Sequence, residues 1–405
     1  MSARPSLVIP LLYVDISGRA GGATSSLRVL LGGLDRSSFR PMLLFGDRGN
    51  AGAWGPDEVL ACSFAGFHNY DFFPATASFR WLTQCVRFVV RLPFDVVRLT
   101  IVLAHHKPSV VHLNGGQMIA PGIAARLLGI PVVWHIRELV TENFFGSLQR
   151  HVYRSCADII VAPSHAVASR LPHCGDVRVI GNAVRPQVVS PEDVDQFRRA
   201  HGLQESDIVL LLLAHDLSPA KGYLFLADVA DRLSDLAHVK FLLAGNTHGM
   251  NPQHCGDSLK GWRGRGRRSD ALAVMRRWRD HSAAGRAVFP GHVQAELALH
   301  ASTIVVCPNL VGEPFGRSVI EAAHAGRPAM ASDLPALNEQ ITNGADGWLV
   351  PAGEVEAWER LIRRLAAHRE EIVAMDLTTL RARSGAMLHA SGIMALYDEV
   401  LEGSD

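Results

Sequence analysis

The sequence predicts two α/β domains, each a doubly wound parallel sheet with helices on both faces. Short runs rich in Val, Ile and Leu alternate with longer segments whose apolar residues recur at helical spacing. That alternation marks strands buried on both sides and covered by helices. The series occurs twice along the chain, which points to two Rossmann-like units. The length of 405 residues also exceeds what one ordinary core supports.

The predicted strands of the first half are "SLVIPLLYV", "PMLLF", "SVVHL", "PVVWHI" and "DIIVAPS". Those of the second half are "DIVLLLLA", "VKFLLAG", "STIVVCP", "RPAMAS" and "GWLVP". Segments such as "APGIAARLLG" and "GYLFLADVADRLSDL" read as the intervening helices. The domains are expected to meet in "IGNAVRPQVVSPEDVDQF", where Pro186 and Pro191 follow a strand and Ser190 reads as the cap of a new helix. Residues 1–185 then form the first domain and 186–387 the second. The basic, glycine-rich "GWRGRGRRSD" reads as a surface loop, because such a composition cannot bury a core.

Composition narrows the function classes. Apolar residues make up 48% and charged residues 20%, and the formal net charge is +1. The chain as a whole is therefore not a polyanion binder, and no nucleic-acid partner is expected. Its six cysteines, at 62, 85, 156, 174, 255 and 307, form no CxxC pair and lie mostly in apolar runs. They read as buried thiols in a reducing, cytoplasmic setting rather than as a disulfide frame or zinc site. The first apolar run is interrupted by Pro10 and stops at Asp15, so it reads as a core strand rather than a signal peptide. No clean apolar stretch reaches the ~18 residues needed to cross a bilayer.

Ligands of doubly wound sheets bind beyond the carboxyl ends of the strands, so the turns after strands carry the candidates. After the first strand, Gly21 and Gly22 allow close backbone approach, and Thr24 or Ser25 is placed to cap the following helix. Gly22 thus opens an anion-friendly helix N-terminus, although tight packing alone explains such a turn equally well. The stretch "GEPFGRSVIEAA" has the same design. Glu313 precedes a helix that Gly326 and Pro328 close, and Glu321 lies in its second turn. The amides of Phe315 and Gly316 are expected as free donors at the helix mouth. Two carboxylates so spaced can grip the hydroxyls at two ends of one extended ligand, with the amides and helix dipole facing its charged middle. A plain structural role also fits: Glu313 complements the dipole and Glu321 pairs with Arg317.

The segment "EPFGRSVIEAAHAGRPAMASDLPALNEQITNGADGWLVP" resembles the signature of the retaining group 1 (family 4) glycosyltransferases. "KPSVVHLNGG", "GIPVVWHIRE", "ADIIVAPSHAVASRL", "VRVIGNAV", "LSPAKGYLFLADVADRL", "VKFLLAG" and "AVFPGHV" follow in the family's order, so the likeness covers most of the chain. It implies a GT-B fold, two Rossmann-like domains facing across a cleft, with a C-terminal helix (residues 388–405) returning to the first domain. It implies a nucleotide-sugar donor held mainly by the second domain and a glycan or lipid-linked acceptor served by the first. By this resemblance Glu321 binds the ribose hydroxyls and Glu313 lies near the transferred sugar. Phe315 and Gly316 supply backbone contacts, Lys221 neutralises the diphosphate, and His292 or Val293 flanks the base. The family keeps anomeric configuration and uses no bound metal or other cofactor.

The chain departs from the family pattern at two places. The basic residue expected five positions before Lys221 is Asp216, and Arg317 is the candidate replacement, since a guanidinium binds phosphate oxygens bidentately. The family's His-Asp-like pair falls on Arg137 and Glu138, with His135 two residues earlier on the same strand face. Either His135 or Arg137 is then expected to approach the sugar. His112, Asn114 and Gly115 fit either the cleft or the core. The resulting expectation is a retaining transferase that builds a polysaccharide or glycolipid, with same-face attack as the favoured route and a covalent intermediate on Glu313 as the other. The alternative is a non-catalytic nucleotide- or sugar-binding protein that acts as an assembly partner, an option that Asp216 and Arg137 keep open.

A last feature is residues 79–107, "FRWLTQCVRFVVRLPFDVVRLTIVLAHHK". At 100° per residue Arg80, Arg87, Arg91 and Arg98 fall within about 40° of one another. Asp95 is the single acid. The segment reads either as a packed helix with a solvated basic face, kinked or split at Pro93, or as a basic amphipathic helix on an anionic membrane. The second reading places the protein peripherally at the inner face of the membrane.

Overall fold

The structure, a computed structural model, describes residues 8–15, 21–46, 54, 62–64, 79–246 and 268–403, with backbone alone at 62–64, 79–85, 87, 216 and 268–274. Two compact units divide the chain: Met1–Ala183 with Gly385–Asp405, and Val184–Ser384.

In the first unit the strands are β1 (Ile9–Asp15), β2 (Phe39–Phe45), β3 (Cys62–Phe64), β4 (Val110–Asn114), β5 (Val132–His135), β6 (Ile159–Ala162) and β7 (Val177–Val179). They form a sheet of order β3-β2-β1-β4-β5-β6-β7, and every pairing is parallel. The order reverses between β1 and β4, which makes their carboxyl ends the topological switch point. Side chains alternate across a strand. Accordingly Leu12 and Val14 enter one core and Leu11 and Tyr13 the other, both faces being buried.

The helices of this unit are α1 (Gly22–Gly32), α2 (Phe79–His106), α3 (Ile119–Leu127), α4 (Phe144–Cys156) and α5 (His165–Ala168). α1 begins after Gly21 without a side-chain cap. Thr24, expected as a cap, instead donates its hydroxyl to Asp15 Oδ2 at 3.1 Å. The buried Asp15 carboxylate needs donors more than the helix end does, because an unpaired buried charge is the costlier defect. α2 is one helix through Pro93 and is neither ended nor split there.

The second unit holds β8 (Ile208–Asp216), β9 (Val239–Asn246), β10 (Ala287–Gly291), β11 (Ile304–Cys307), β12 (Ala329–Ser332) and β13 (Gly347–Val350). Its order is β10-β9-β8-β11-β12-β13, again parallel, with the switch point between β8 and β11. Around it lie α6 (Pro191–Ala200), α7 (Tyr223–Arg232), α8 (Arg268–Ala283), α9 (Ala295–Ala301), α10 (Arg317–His324), α11 (Pro335–Asn338), α12 (Val355–Ala367), α13 (Glu370–Val373) and α14 (Thr378–Arg383). Ser190 caps α6, accepting from the Asp193 amide at 3.1 Å, with Pro191 at the first helical position. Residues 261–267 of the glycine-rich stretch lie outside the described residues. Arg268, Ser269 and Asp270 are the first turn of α8 rather than loop. The periodic run "ALAVMRRWRD" draws them into the helix, and its Trp278 is fully buried.

The last helix, α15 (Ala386–Glu402), belongs to the first unit, where Ala390, Ile393, Leu396, Tyr397 and Val400 enter the core that also takes Leu11 and Tyr13. Cys156, Cys174 and Cys307 are buried free thiols. The side chains of Cys62, Cys85 and Cys255 lie outside the described residues. No helix among the described residues is long and apolar enough to cross a membrane.

Candidate functional site

The second unit gathers its charged candidates at the β8/β11 switch point. After β8 the chain makes a short 3-10 turn, Pro219–Lys221, and enters α7 through Gly222. Gly222 has φ +76°, and a Cβ there would sit 1.8 Å from the Pro308 carbonyl oxygen. Only glycine lets the two loops approach so closely. Their contact is sealed by the Leu310 amide, which donates to the Ala220 carbonyl at 3.1 Å.

Lys221 thereby meets the loop after β11. Its Nζ donates to Glu313 Oε2 at 2.6 Å, and Asn309 Nδ2 donates to the same oxygen at 2.9 Å. The Gly316 amide points at Glu313 Oε1 from 3.4 Å. Glu313 is therefore held from three directions and its side chain is only 15% exposed, whereas that of Lys221 is 39% exposed. An ion pair with one partner this exposed contributes at most ~1 kcal/mol. Cys307, at the end of β11, is buried, and burial, then the Glu313 charge, pushes its thiol up to about 12.

α10 supplies the second carboxylate. Gly316 caps it with φ +90°, and Phe315 is buried in the adjoining core. The expectation of a free Gly316 amide is corrected, since Glu313 lies against it. Arg317 donates through Nε and Nη2 to Glu321 Oε1 at 3.2 and 2.7 Å, the i,i+4 pair that the plain structural role foresaw. Both cations of this cluster are thus matched to carboxylates. His292, at the end of β10, is exposed and packs edge-on against His215, with ring centroids 5.3 Å apart. Val293 instead packs against the core. The Asp216 side chain lies outside the described residues.

The first unit has its own network at the β1/β4 switch point. Asp15 Oδ2 accepts from Thr24 and from Asn114 Nδ2, each at 3.1 Å. Asn114 Oδ1 accepts from Arg137 Nε at 2.5 Å, and Asn182 Oδ1 accepts from Arg137 Nη1 at 2.5 Å. A third partner of the Arg137 guanidinium is His135, whose Nδ1 lies 3.3 Å from Nη2. Asn114 is thus a positioning residue for Arg137, and Gly115 accepts the Trp134 indole N–H at its carbonyl. Gly22, exposed at the start of α1, neighbours this network.

His135 is completely buried, as is His112 behind it, so neither can touch a substrate in this conformation; Arg137, half-buried, keeps an accessible portion. His112 Nδ1 is 2.8 Å from the Tyr397 hydroxyl of α15, and the Nε2 atoms of both histidines lack a hydrogen-bond partner. Burial, then the Arg137 charge, holds both imidazoles well below their ordinary pKa. A base depressed in the folded state loses stability as pH falls below its unfolded value of ~6.5, because the unfolded chain then binds more protons. The melting temperature is accordingly expected to rise from about pH 5 to about pH 7. A flat profile would show that these rings accept protons without cost.

Asn309 and Asn182 are the residues that sequence reading missed. Asn309 carries no motif; only its place just past β11 at a switch point could have singled it out. Among the described residues no three His, Cys, Asp or Glu side chains gather as a metal site.

Comparison with known proteins accounts for both units. The "Glycosyltransferase Family 4" model matches residues 20–188, and the "Glycosyl transferases group 1" model matches residues 208–368. The chain is 35% identical over 106 residues to a phosphatidyl-myo-inositol mannosyltransferase of Mycobacterium leprae, a match covering 25% of this chain and 28% of that relative. It is 28% identical over 316 residues to the Mycobacterium tuberculosis protein of the same name, covering 74% of this chain and 75% of the other. Among solved structures, Anabaena Alr3699/HepE in complex with UDP-glucose superposes with a TM-score of 0.74 at 19% identity, over 96% of this chain and all of that one. That last likeness shows the fold, two Rossmann-like units of GT-B type. With each unit matched by its own model, the chain belongs to the group 1 glycosyltransferase family.

Proposed function

We propose that the protein is a retaining, metal-independent glycosyltransferase that moves a sugar from a nucleotide-sugar donor to a glycan or lipid-linked acceptor. The reading rests on one observation, the Lys221–Glu313 pair held by Asn309 at the switch point of a family member's second unit. The donor diphosphate takes Lys221 from Glu313 and draws Arg317 from Glu321, where it supplies the charge missing at position 216. Glu321, released, accepts the ribose hydroxyls, and Glu313 accepts from the sugar beside the reacting carbon. His292 flanks the base. The acceptor hydroxyl attacks the anomeric carbon as the bond to the β-phosphate oxygen breaks. The electron pair goes to the diphosphate, which also takes the acceptor's proton, and the two cations stabilise the charge as it develops. Acceptor handling is assigned to the first unit, with Arg137 as its functional side chain and His135 acting through it.

Incubation with UDP-, GDP- and ADP-sugars, followed by release of nucleoside diphosphate, tests the reading. Slow release without acceptor supports it. Binding without turnover of any donor would instead make the protein a non-catalytic nucleotide binder. An inverted anomeric centre in the product would overturn retention. Glu321→Ala is expected to raise the donor KM by roughly tenfold with turnover within about threefold, as loss of uniform binding does. A fall in turnover with unchanged KM would remove Glu321 from the ribose.

A further inference from the structure

The first unit buries three imidazoles as neighbours. His112 of β4 and His135 of β5 are completely buried, and His389 of α15 nearly so. The ring centre of His135 lies 5.7 Å from that of His112 and 6.1 Å from that of His389. The Nε2 atoms of His112 and His135 have no hydrogen-bond partner among the described residues. Buried polar atoms that the protein does not satisfy are met by ordered water far more often than they are left bare.

The other ring nitrogens fix where each proton sits. Burial and the Arg137 charge favour the neutral form of His112 and His135, so each ring carries one proton. A guanidinium only donates, so His135 Nδ1, 3.3 Å from Arg137 Nη2, accepts, and the His135 proton is on Nε2. The Tyr397 hydroxyl gives its one proton to Tyr13 at 3.1 Å. It therefore accepts from His112 Nδ1 at 2.8 Å, which leaves His112 Nε2 an acceptor. A carbonyl only accepts, so His389 Nδ1, 2.8 Å from the Gly181 oxygen, carries a proton, and in the neutral ring its Nε2 is an acceptor too. One donor and two acceptors on adjoining rings are the complement of a water molecule that accepts once and donates twice.

The ring separations distinguish water from a metal. An imidazole nitrogen lies about 1.15 Å from its ring centre, so rings bonded to one water at about 2.9 Å have their centres about 4 Å from it. The two separations then subtend about 90° and about 100° at the water, near the tetrahedral angle of its hydrogen bonds. Around a zinc ion held at about 2.05 Å they would subtend about 125° and about 145°, too wide for a tetrahedral site. The Arg137 charge beside His135 also repels a cation.

We propose that one buried water joins His135 Nε2 to His112 Nε2, with His389 as the nearest acceptor for its second proton. Tyr13, Tyr397, His112, the water, His135 and Arg137 then form one hydrogen-bonded chain. Tyr397 of α15 is a positioning residue for the Arg137 guanidinium, acting through that chain. The inference does not depend on the enzymatic reading, because the water and the protons are read without substrate.

Crystals of the full chain test it, with X-rays for the water and neutrons after exchange into heavy water for the protons. A peak is expected within hydrogen-bonding distance of both Nε2 atoms, with deuterium on His135 Nε2, His112 Nδ1 and His389 Nδ1. Tyr397→Phe keeps the ring that packs against Phe39 and removes only the hydroxyl. It is expected to move the His112 proton from Nδ1 to Nε2 while the water stays, a shift that lost packing alone does not produce. Long-range proton–nitrogen spectra of histidine-labelled wild type and variant read the same shift in solution. A missing peak, or a proton on His135 Nδ1, overturns the proposal. So does a His112 proton that stays on Nδ1 in Tyr397→Phe. An anomalous signal at the zinc edge from the same peak would replace the water with a metal and also overturn it.

Discussion

Glu313→Gln is expected to lower turnover by about 10²–10³ while the donor KM stays unchanged or falls. The amide keeps the volume and one acceptor oxygen, so one of the two donors, Asn309 Nδ2 on Oε2 or the Gly316 amide on Oε1, retains a partner. On the proposed reading, what disappears is the negative charge beside the reacting carbon, where positive character develops as the leaving group departs. An interaction made mainly in the transition state shows in turnover rather than in KM. The substitution also frees Lys221 from its carboxylate, so its charge becomes more available to the diphosphate. Steady-state rates on the true donor and acceptor check the expectation. Wild-type turnover in Glu313→Gln would remove Glu313 from the chemistry, and a KM rise with intact turnover would move it to the binding group with Glu321.

Gly222→Ala is expected to destabilise the second unit by roughly 3 kcal/mol and to weaken donor binding by tenfold or more. Its added Cβ would lie 1.8 Å from the Pro308 carbonyl oxygen and 2.7 Å from the carbonyl carbon. These are backbone atoms, so no side-chain rotation relieves the overlap, and φ +76° strains any residue with a Cβ. Relief requires the β8 and β11 loops to separate. Separation breaks the Leu310–Ala220 hydrogen bond and withdraws Lys221 from Glu313. The two readouts therefore move together: a lower melting temperature and a smaller thermal shift with nucleoside diphosphate. Lys221→Ala offers the contrast, because it removes the cation without forcing the loops apart. It should cut donor affinity while leaving the melting temperature of the free protein within a degree or two. Wild-type stability in Gly222→Ala would mean that the loop contact is looser than its geometry implies.

Much of the fold was legible because its signals are local. The Val, Ile and Leu runs that became β1, β8 and β11 are buried on both faces, so they show no polar alternation and read plainly as parallel strands. Ser190 and Pro191 announced α6, and Gly326 and Pro328 closed α10, since caps and breakers act within a few residues. The pairing of Arg317 with Glu321 was legible for the same reason, four residues being one helical turn. Glu313, Glu321 and Lys221 could be picked out individually, by position after strands and by resemblance to a family motif.

What sequence could not decide was which partner each group would find at long range. Lys221 and Glu313 lie 92 residues apart and meet only because β8 and β11 are neighbours at the point where strand order reverses. Strand order is a property of the whole sheet, and no window of sequence encodes it. His135 read as a candidate beside the sugar, yet α15 returns to the first unit and buries it with His112 under Tyr397 and His389. Thr24 read as a helix cap, but the buried Asp15 carboxylate claimed its hydroxyl. α2 makes the point most directly. Its helical period is written in the sequence, and so is the row of arginines. Periodicity orients side chains about an axis, but it is packing against α3 and the core of the first unit that determines which of two apolar faces is buried and which is left to water.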